Sequence, residues 1–351
     1  MHPSTIATGL AFISAVTAHL HPEPQTHINY TVVPGVFLQD DPSTNASAFD
    51  FIASNFGLIN RTYPTDSSCP DRKHATQWQR LAHYISSLNS QCRSNERYAL
   101  LFLGRHGEGY HNAAESYYGT PAWNCFYSEL DGNSTVTWAD AHLTAPGITQ
   151  AQTVNKFWSH LLKDEKTTPP ESFYTSPLWR CLQTIQLTFT DLNLPKKNPF
   201  IPIVKEFFRE GISAHTCDRR STKSQIRAGF PSYRFENGFQ EHDPYWMALR
   251  AETPTDQDIR SKKVLDDVFE SDDSTYISVT AHSGEIASLL RVLGHREFRL
   301  ATGAALPVLV KATTLKGDEP PTATQPYATV TTCATPPTIK ASSCNDCSCC
   351  K

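Results

Sequence analysis

Tyr98 Ala99 Leu100 Leu101 Phe102 Leu103 Gly104 Arg105 His106 Gly107 is an apolar run that ends at a glycine followed by two basic side chains. A short, unbroken run of this kind is how a strand buried on both faces reads, and its glycine marks where the chain leaves the sheet. The basic pair therefore emerges at a strand's carboxyl end. The same grammar recurs downstream. Residues 173–175 read as a strand, with Ser176 as a helix N-cap and Pro177 as first helical residue, which puts Arg180 in an opening helical turn. Residues 276–280 form another strand, followed by Ala281 His282 Ser283 Gly284 and the helical stretch 285–293. Residues 201–204 give a further strand, with Glu210 in the loop beyond it. Strands alternating with helices specify an α/β chain, a three-layer sandwich with a mostly parallel central sheet and helices on both faces. Ligands of such sheets gather outside the carboxyl ends of the strands, where these charged motifs fall.

A chain of 351 residues with 39% apolar content builds one elaborated core more readily than two full domains. Residues 19–312 are read as that domain, with a wrapper formed by the turn-rich stretch 30–70. A helix follows the wrapper, with Trp78, Leu81, Ile85 and Leu88 at helical spacing, and loops and helices cap the site. The formal charge of −4 and the lack of a long basic run exclude the electrostatic footprint of a nucleic-acid or anionic-membrane binder. An apolar stretch from 6 to 16, followed by small residues up to Ala18, reads as a signal peptide over 1–18, although no Lys or Arg precedes it. Sequons at Asn29, Asn45, Asn60 and Asn133 fit the secretory route; a cytoplasmic chain with an uncleaved N-terminus is the alternative. No other segment approaches the length of a membrane span. In an oxidising compartment Cys69 and Cys92, which flank one helix, are the expected disulfide. Residues 313–351, rich in Thr, Pro and Cys, are read as a disordered tail. Its Cys344–Cys347 spacing resembles half a zinc site that lacks a partner histidine.

Arg105 His106 Gly107 Glu108 Gly109 Tyr110 His111 Asn112 resembles the Arg-His-Gly signature of the histidine phosphatase superfamily, in its phosphoglycerate mutase-like branch. Ser176 to Arg180, Phe208 Arg209 Glu210 and Ala281 His282 Ser283 Gly284 follow in the family's order, and Leu143 to Gly147 resembles a family helix start. The resemblance spans roughly 30–312 and lies nearest to fungal phosphomutase-like proteins. It implies His106 as the nucleophile, His282 as a second catalytic histidine and Glu210 as the acid that protonates the leaving oxygen, with Glu108 and Glu206 as rivals. Arg105, Asn112, Arg180 and Ser283 are the implied phosphate ligands. These residue types suit the chemistry. A phosphate monoester is an anion whose oxygens must be neutralised before a nucleophile can approach in line, and arginines present planar forks that keep their charge. A neutral imidazole can then attack, dividing one displacement into two.

The reading is a phosphatase acting on a small phosphorylated molecule through a phosphohistidine, with no metal and no cofactor. The alternatives are phosphoglycerate mutase-type transfer and a catalytically silent binding protein of the same fold. Mutases of the resembled branch have Ser and Trp where this chain has Gly109 and His111, and the phytase branch has Asp where Ser283 follows His282. A silent protein is expected to have lost one of His106, Arg180 or His282. Tyr110, His111, His215, Arg219 and Arg220 either line a substrate pocket or serve packing and surface roles. The sequence names neither the substrate nor the oligomeric state.

Overall fold

The structure, a computed structural model, describes residues 25–317, 327–340 and Cys347. The expected signal segment 1–18 and Cys344 lie outside them. In chain order the strands are β1 (Thr26–Val32), β2 (Glu96–Arg105), β3 (Ser172–Thr175), β4 (Ile203–Val204), β5 (Arg234–Phe235), β6 (Arg250–Ala251), β7 (Tyr276–Ala281), β8 (Ala305–Lys316) and β9 (Ala328–Thr329). The helices are α1 (Gln77–Gln91), α2 (Tyr110–Tyr118), α3 (Thr120–Cys125), α4 (Ala145–Lys163), α5 (Trp179–Phe189), α6 (Lys223–Gly229), α7 (Pro254–Ser271) and α8 (Ser283–Leu293).

A seven-stranded sheet runs in the order β1-β8-β2-β7-β3-β4-β5. The pairs from β2 through β7, β3 and β4 to β5 are parallel, while β8 is antiparallel to both β1 and β2. Side chains on β2 alternate between two cores, as a strand's twofold period requires. Leu100 and Phe102 join Trp78, Leu81, Trp158, Leu182 and Ile185 from α1, α4 and α5. Ala99, Leu101 and Leu103 join Leu265, Val268, Ile286 and Leu290 from α7 and α8. The expected three-layer architecture is therefore present.

Register brings the site together. Arg105 pairs with Ala281 and Gly104 with Thr280, so His106 and His282 leave the sheet side by side. Thr175 pairs with the same Thr280, which sets Ser176 against them, and Val204 pairs with Thr175 one strand further out. A separate apolar cluster of Ala114, Tyr118, Trp123, Trp138 and Cys217 forms the cap over this rim.

Three expectations need correction. The stretch 30–70 is more than a wrapper: Phe56 is fully buried among Phe51, Trp78, Phe102, Phe157 and Trp158. The chain does not lose structure at 313, because β8 runs on to Lys316 and β9 pairs with β6. Beyond β9, the Cys333 amide donates to the Cys125 carbonyl at 2.8 Å and the Lys340 amide to the Tyr118 carbonyl at 2.7 Å. Residues 327–340 thus lie along the cap. Finally, Cys69 and Cys92 are both free; the disulfide instead joins Cys125 to Cys347, and Cys333 is also disulfide-bonded. Flanking one helix does not bring two thiols together.

Candidate active site

His106 follows the last residue of β2 and is held by backbone bonds on both sides: its N–H donates to the Ala281 carbonyl at 3.1 Å, and its carbonyl accepts from Gly303 at 2.8 Å. Its ring Nδ1 lies 2.7 Å from the Gly107 carbonyl. A carbonyl only accepts, so Nδ1 carries the proton and Nε2 keeps its lone pair. Burial, reinforced by the charges of Arg180 and Arg105, pushes the His106 pKa well below its ordinary value. The imidazole is thereby kept neutral, the form a nucleophile needs. Lowering the pH through 6.5, where an ordinary histidine gains its proton, is expected to leave His106 uncharged. Ring ¹⁵N shifts of His106 recorded down to pH 5.5 check this; a charged ring at pH 6 would contradict it.

Gly107 does more than clear space beside a phosphate. A Cβ there would meet the Gly147 carbonyl oxygen at 2.4 Å, and one on Gly147 would meet the Glu108 oxygen at 2.0 Å. Two backbones cross in contact here, pinning the loop after His106 to the first turn of α4. That turn begins where the sequence places it, with Thr144 as N-cap accepting from Gly147. The Gly107 amide donates to Thr184 Oγ1 at 3.0 Å.

Arg180 is the second residue of α5, which starts at Trp179 rather than at Pro177. Asp140, from the cap, accepts the Trp179 amide at 2.8 Å. Ser176, expected as the N-cap, instead accepts from Leu178 and sits 2.7 Å from His282 Nε2. Arg180 donates from Nε to His282 Nδ1 at 3.2 Å, from Nη1 to the Cys217 carbonyl at 2.6 Å, and from Nη2 to Asp218 Oδ1 at 3.1 Å. Burial works against its charge, but Asp218 above all raises its pKa. Because arginine has no acceptor, His282 Nδ1 must be the bare nitrogen, and its Nε2–H points at Ser176. Burial, then Arg180 and the other histidines, depress the His282 pKa strongly. The ring centroids of His106 and His282 are 5.0 Å apart, and His106, Arg180 and His282 are 2%, 1% and 0% exposed. The chemistry is enclosed.

Arg105 is half-buried and donates from Nη1 to the Leu300 carbonyl at 2.7 Å, while its Nε is buried with no partner among the described residues. Burial lowers its pKa, opposed by the charge of Glu210. Asn112 Oδ1 accepts from the Gly109 amide at 3.0 Å, which orients the amide group and leaves its Nδ2 for a ligand. Ser283 opens α8, with Oγ 3.4 Å from Glu210 Oε2. Glu210 closes over that helix end, accepting from the amides of Gly211, Gly284 and Glu285 at 3.0, 3.2 and 3.0 Å. A Cβ on Gly284 would stand 2.4 Å from Glu210 Oε1, so glycine is required for the carboxylate to approach. All four of these partners donate to Glu210. Its rival Glu206 is gripped by Arg220 at 2.9 Å and Arg209 at 3.1 Å, which assigns it to structure. Glu108 accepts from Thr144 Oγ1 at 2.6 Å.

Sequence reasoning missed Asp218, Ser176 and Thr184. Arg219 pairs with Asp131 and Arg220 with Glu206, so both are structural. Among the described residues His215, Cys217 and Asp218 have donor atoms within 4.8 Å of one another, the spacing of a metal site. Asp218 is already committed, however, with one oxygen to Arg180 and the other to Ser213. The trio does not fit a cation.

A buried neutral imidazole with a bare Nε2, ringed by arginine and histidine donors, defines a centre for phosphoryl chemistry. The model of the histidine phosphatase superfamily (branch 1) matches residues 101–304, and the chain belongs to that superfamily. Its members transfer or hydrolyse phosphoryl groups, and the relatives place this chain on the phosphoglycerate mutase-like side. It is 49% identical to a "Probable phosphoglycerate mutase" of Arthroderma benhamiae over 82% of this chain and 85% of that one. It is 37% identical to "Phosphomutase-like protein 3" of Candida albicans over 81% and 80% of the two chains.

Proposed function

We propose that this chain is a metal-independent phosphatase that hydrolyses a small-molecule phosphate monoester through a phosphohistidine on His106. The observation that carries the reading is the neutral His106 with its proton held on Nδ1 by the Gly107 carbonyl. The Nε2 lone pair attacks phosphorus as the ester oxygen departs, Arg105, Arg180 and the Asn112 amide bear the charge on the phosphoryl oxygens, and His282 joins them by exchanging the Ser176 partner of its Nε2–H for a phosphoryl oxygen. Arg105 Nε, buried without a partner, suits an anion that would satisfy it. Water then attacks phosphorus, its proton passing to the carboxylate that protonated the leaving oxygen, and the P–N bonding pair returns to Nε2, which restores His106.

The assay is phosphate release from a panel of monoesters, with chelator and with vanadate. Turnover is expected to survive chelation and to fall with vanadate, which mimics the transferring group. Activity that chelation abolishes and added metal restores would overturn the reading.

Glu210 is the proposed proton donor to the leaving oxygen, a role in which it must exchange at least one amide donor for the substrate. An alkyl ester expels a basic alkoxide and needs that proton; a nitrophenyl ester hardly does. Glu210→Gln, which preserves an acceptor for the amides of α8, is expected to slow single-turnover phosphorylation of His106 far more with the alkyl ester. Equal losses would transfer the role to Glu108.

Mutase-type transfer remains the second reading because a 49%-identical relative bears that name. Interconversion of 2- and 3-phosphoglycerate by the purified protein would favour it. We also propose secretion, supported by exposed side chains at all four sequons. An intact Met1 on unglycosylated protein from the native host would refute it.

A further inference from the structure

Gly109 has φ −98° and ψ 163°, an extended conformation open to any residue. Its backbone gives no reason for glycine, but its surroundings do. A Cβ there would lie 2.7 Å from His111 Nδ1 and 2.8 Å from its Cε1, so the imidazole occupies the volume a side chain would fill. That ring is buried, with its centroid 5.4 Å from that of His106. Its Nδ1 is sealed from solvent without a partner, and neither ring nitrogen is hydrogen-bonded among the described residues. The charged and titratable groups that act on it most are Arg180, His106, Arg105 and His215.

A neutral imidazole carries one N–H; on the sealed Nδ1 it would be buried without an acceptor, which is costly, so the proton sits on Nε2, the ring nitrogen that is not sealed. No protein acceptor meets that N–H among the described residues. An oxygen-rich anion supplies one, and the group that comes to His106 is such an anion. We infer that His111 is a third histidine that touches the substrate, donating from Nε2 to an oxygen of the phosphoryl group, and that Gly109 is glycine to admit it. This inference rests on the phosphatase reading and extends it to a residue outside the set of arginines and histidines already assigned to the site. Burial also pushes the His111 pKa far down, so the ring enters the site as a neutral donor.

The test is vanadate affinity by calorimetry, a readout that needs no turnover, for the wild type and five variants. His111→Ala and His111→Phe remove the donor, the second while keeping a packed ring, and each is expected to weaken binding roughly 10- to 100-fold, the worth of a hydrogen bond to a charged group. His111→Gln, which returns an N–H near the Nε2 position, is expected to recover most of that loss. Gly109→Ala should displace the ring and weaken vanadate as well, and combined with His111→Ala should cost no more than the larger single effect. Unchanged affinity in the Phe variant, or full additivity of the double variant, would overturn the inference. If the wild type neither binds vanadate nor releases phosphate from any ester, it is the phosphatase reading that fails.

Discussion

His106→Ala is expected to lower phosphate release by at least about 10⁴-fold, because removing a covalent nucleophile removes the two-step route itself. The surrounding donors survive the change, so substrate affinity should drop far less than turnover. His282 cannot substitute. Its Nδ1 accepts from Arg180 and its Nε2 faces Ser176, so its lone pair is already engaged where the His106 lone pair is bare. The measurement is steady-state phosphate release beside calorimetric vanadate binding. A variant that keeps most of its turnover would rule out the covalent mechanism.

Arg180→Ala is expected to cost on the order of 10² to 10³ in kcat, the usual loss when one preorganised transition-state donor is removed. The structure adds a second consequence. Arg180 neutralises Asp218 and fixes the His282 tautomer, so its removal leaves a buried carboxylate unpaired and frees the second histidine to change tautomer. Arg180→Lys should therefore rescue poorly: an ammonium can reach one of the three acceptors but cannot span them as the fork does. Asp218→Asn should lower kcat in the same direction and by less, since the arginine remains. Full activity in Arg180→Lys would show that only its charge matters.

The parts legible in the sequence are those that a local pattern encodes. The run from Tyr98 to Leu103 could only be a buried strand, and the motif it ends in had to fall at a sheet rim. Three further motifs at strand ends pointed to one sheet rim before any register was known, and the register brings them together there. What escaped notice depends on contacts distant in sequence. Ser176 looks like a helix cap because the local signal is right, yet Asp140 satisfies α5 and frees the serine for His282, which lies 106 positions away. Asp218 comes from a loop that nothing in its own neighbourhood connects to Arg180. Strand β8, with twelve residues, went unread in part because Pro307 argues against a central strand; β1 pairs only as far as Val310, leaving the proline beyond the doubly paired segment. The course of the segment 327–340 was hidden for a related reason. Its Thr- and Pro-rich composition cannot build a core alone, but it needs none when it lies along a cap already built by α2 and α3.

The measurement that bears most directly on the phosphohistidine mechanism is rapid-quench mass spectrometry of the protein mixed with a ³²P-labelled nitrophenyl phosphate analogue bearing the label on phosphorus. Base-stable, acid-labile label is expected on the peptide containing His106, forming at a rate no slower than turnover and absent from His106→Ala. Turnover without any phosphorylated His106 peptide, or label on another residue that forms and decays at the catalytic rate, would contradict it.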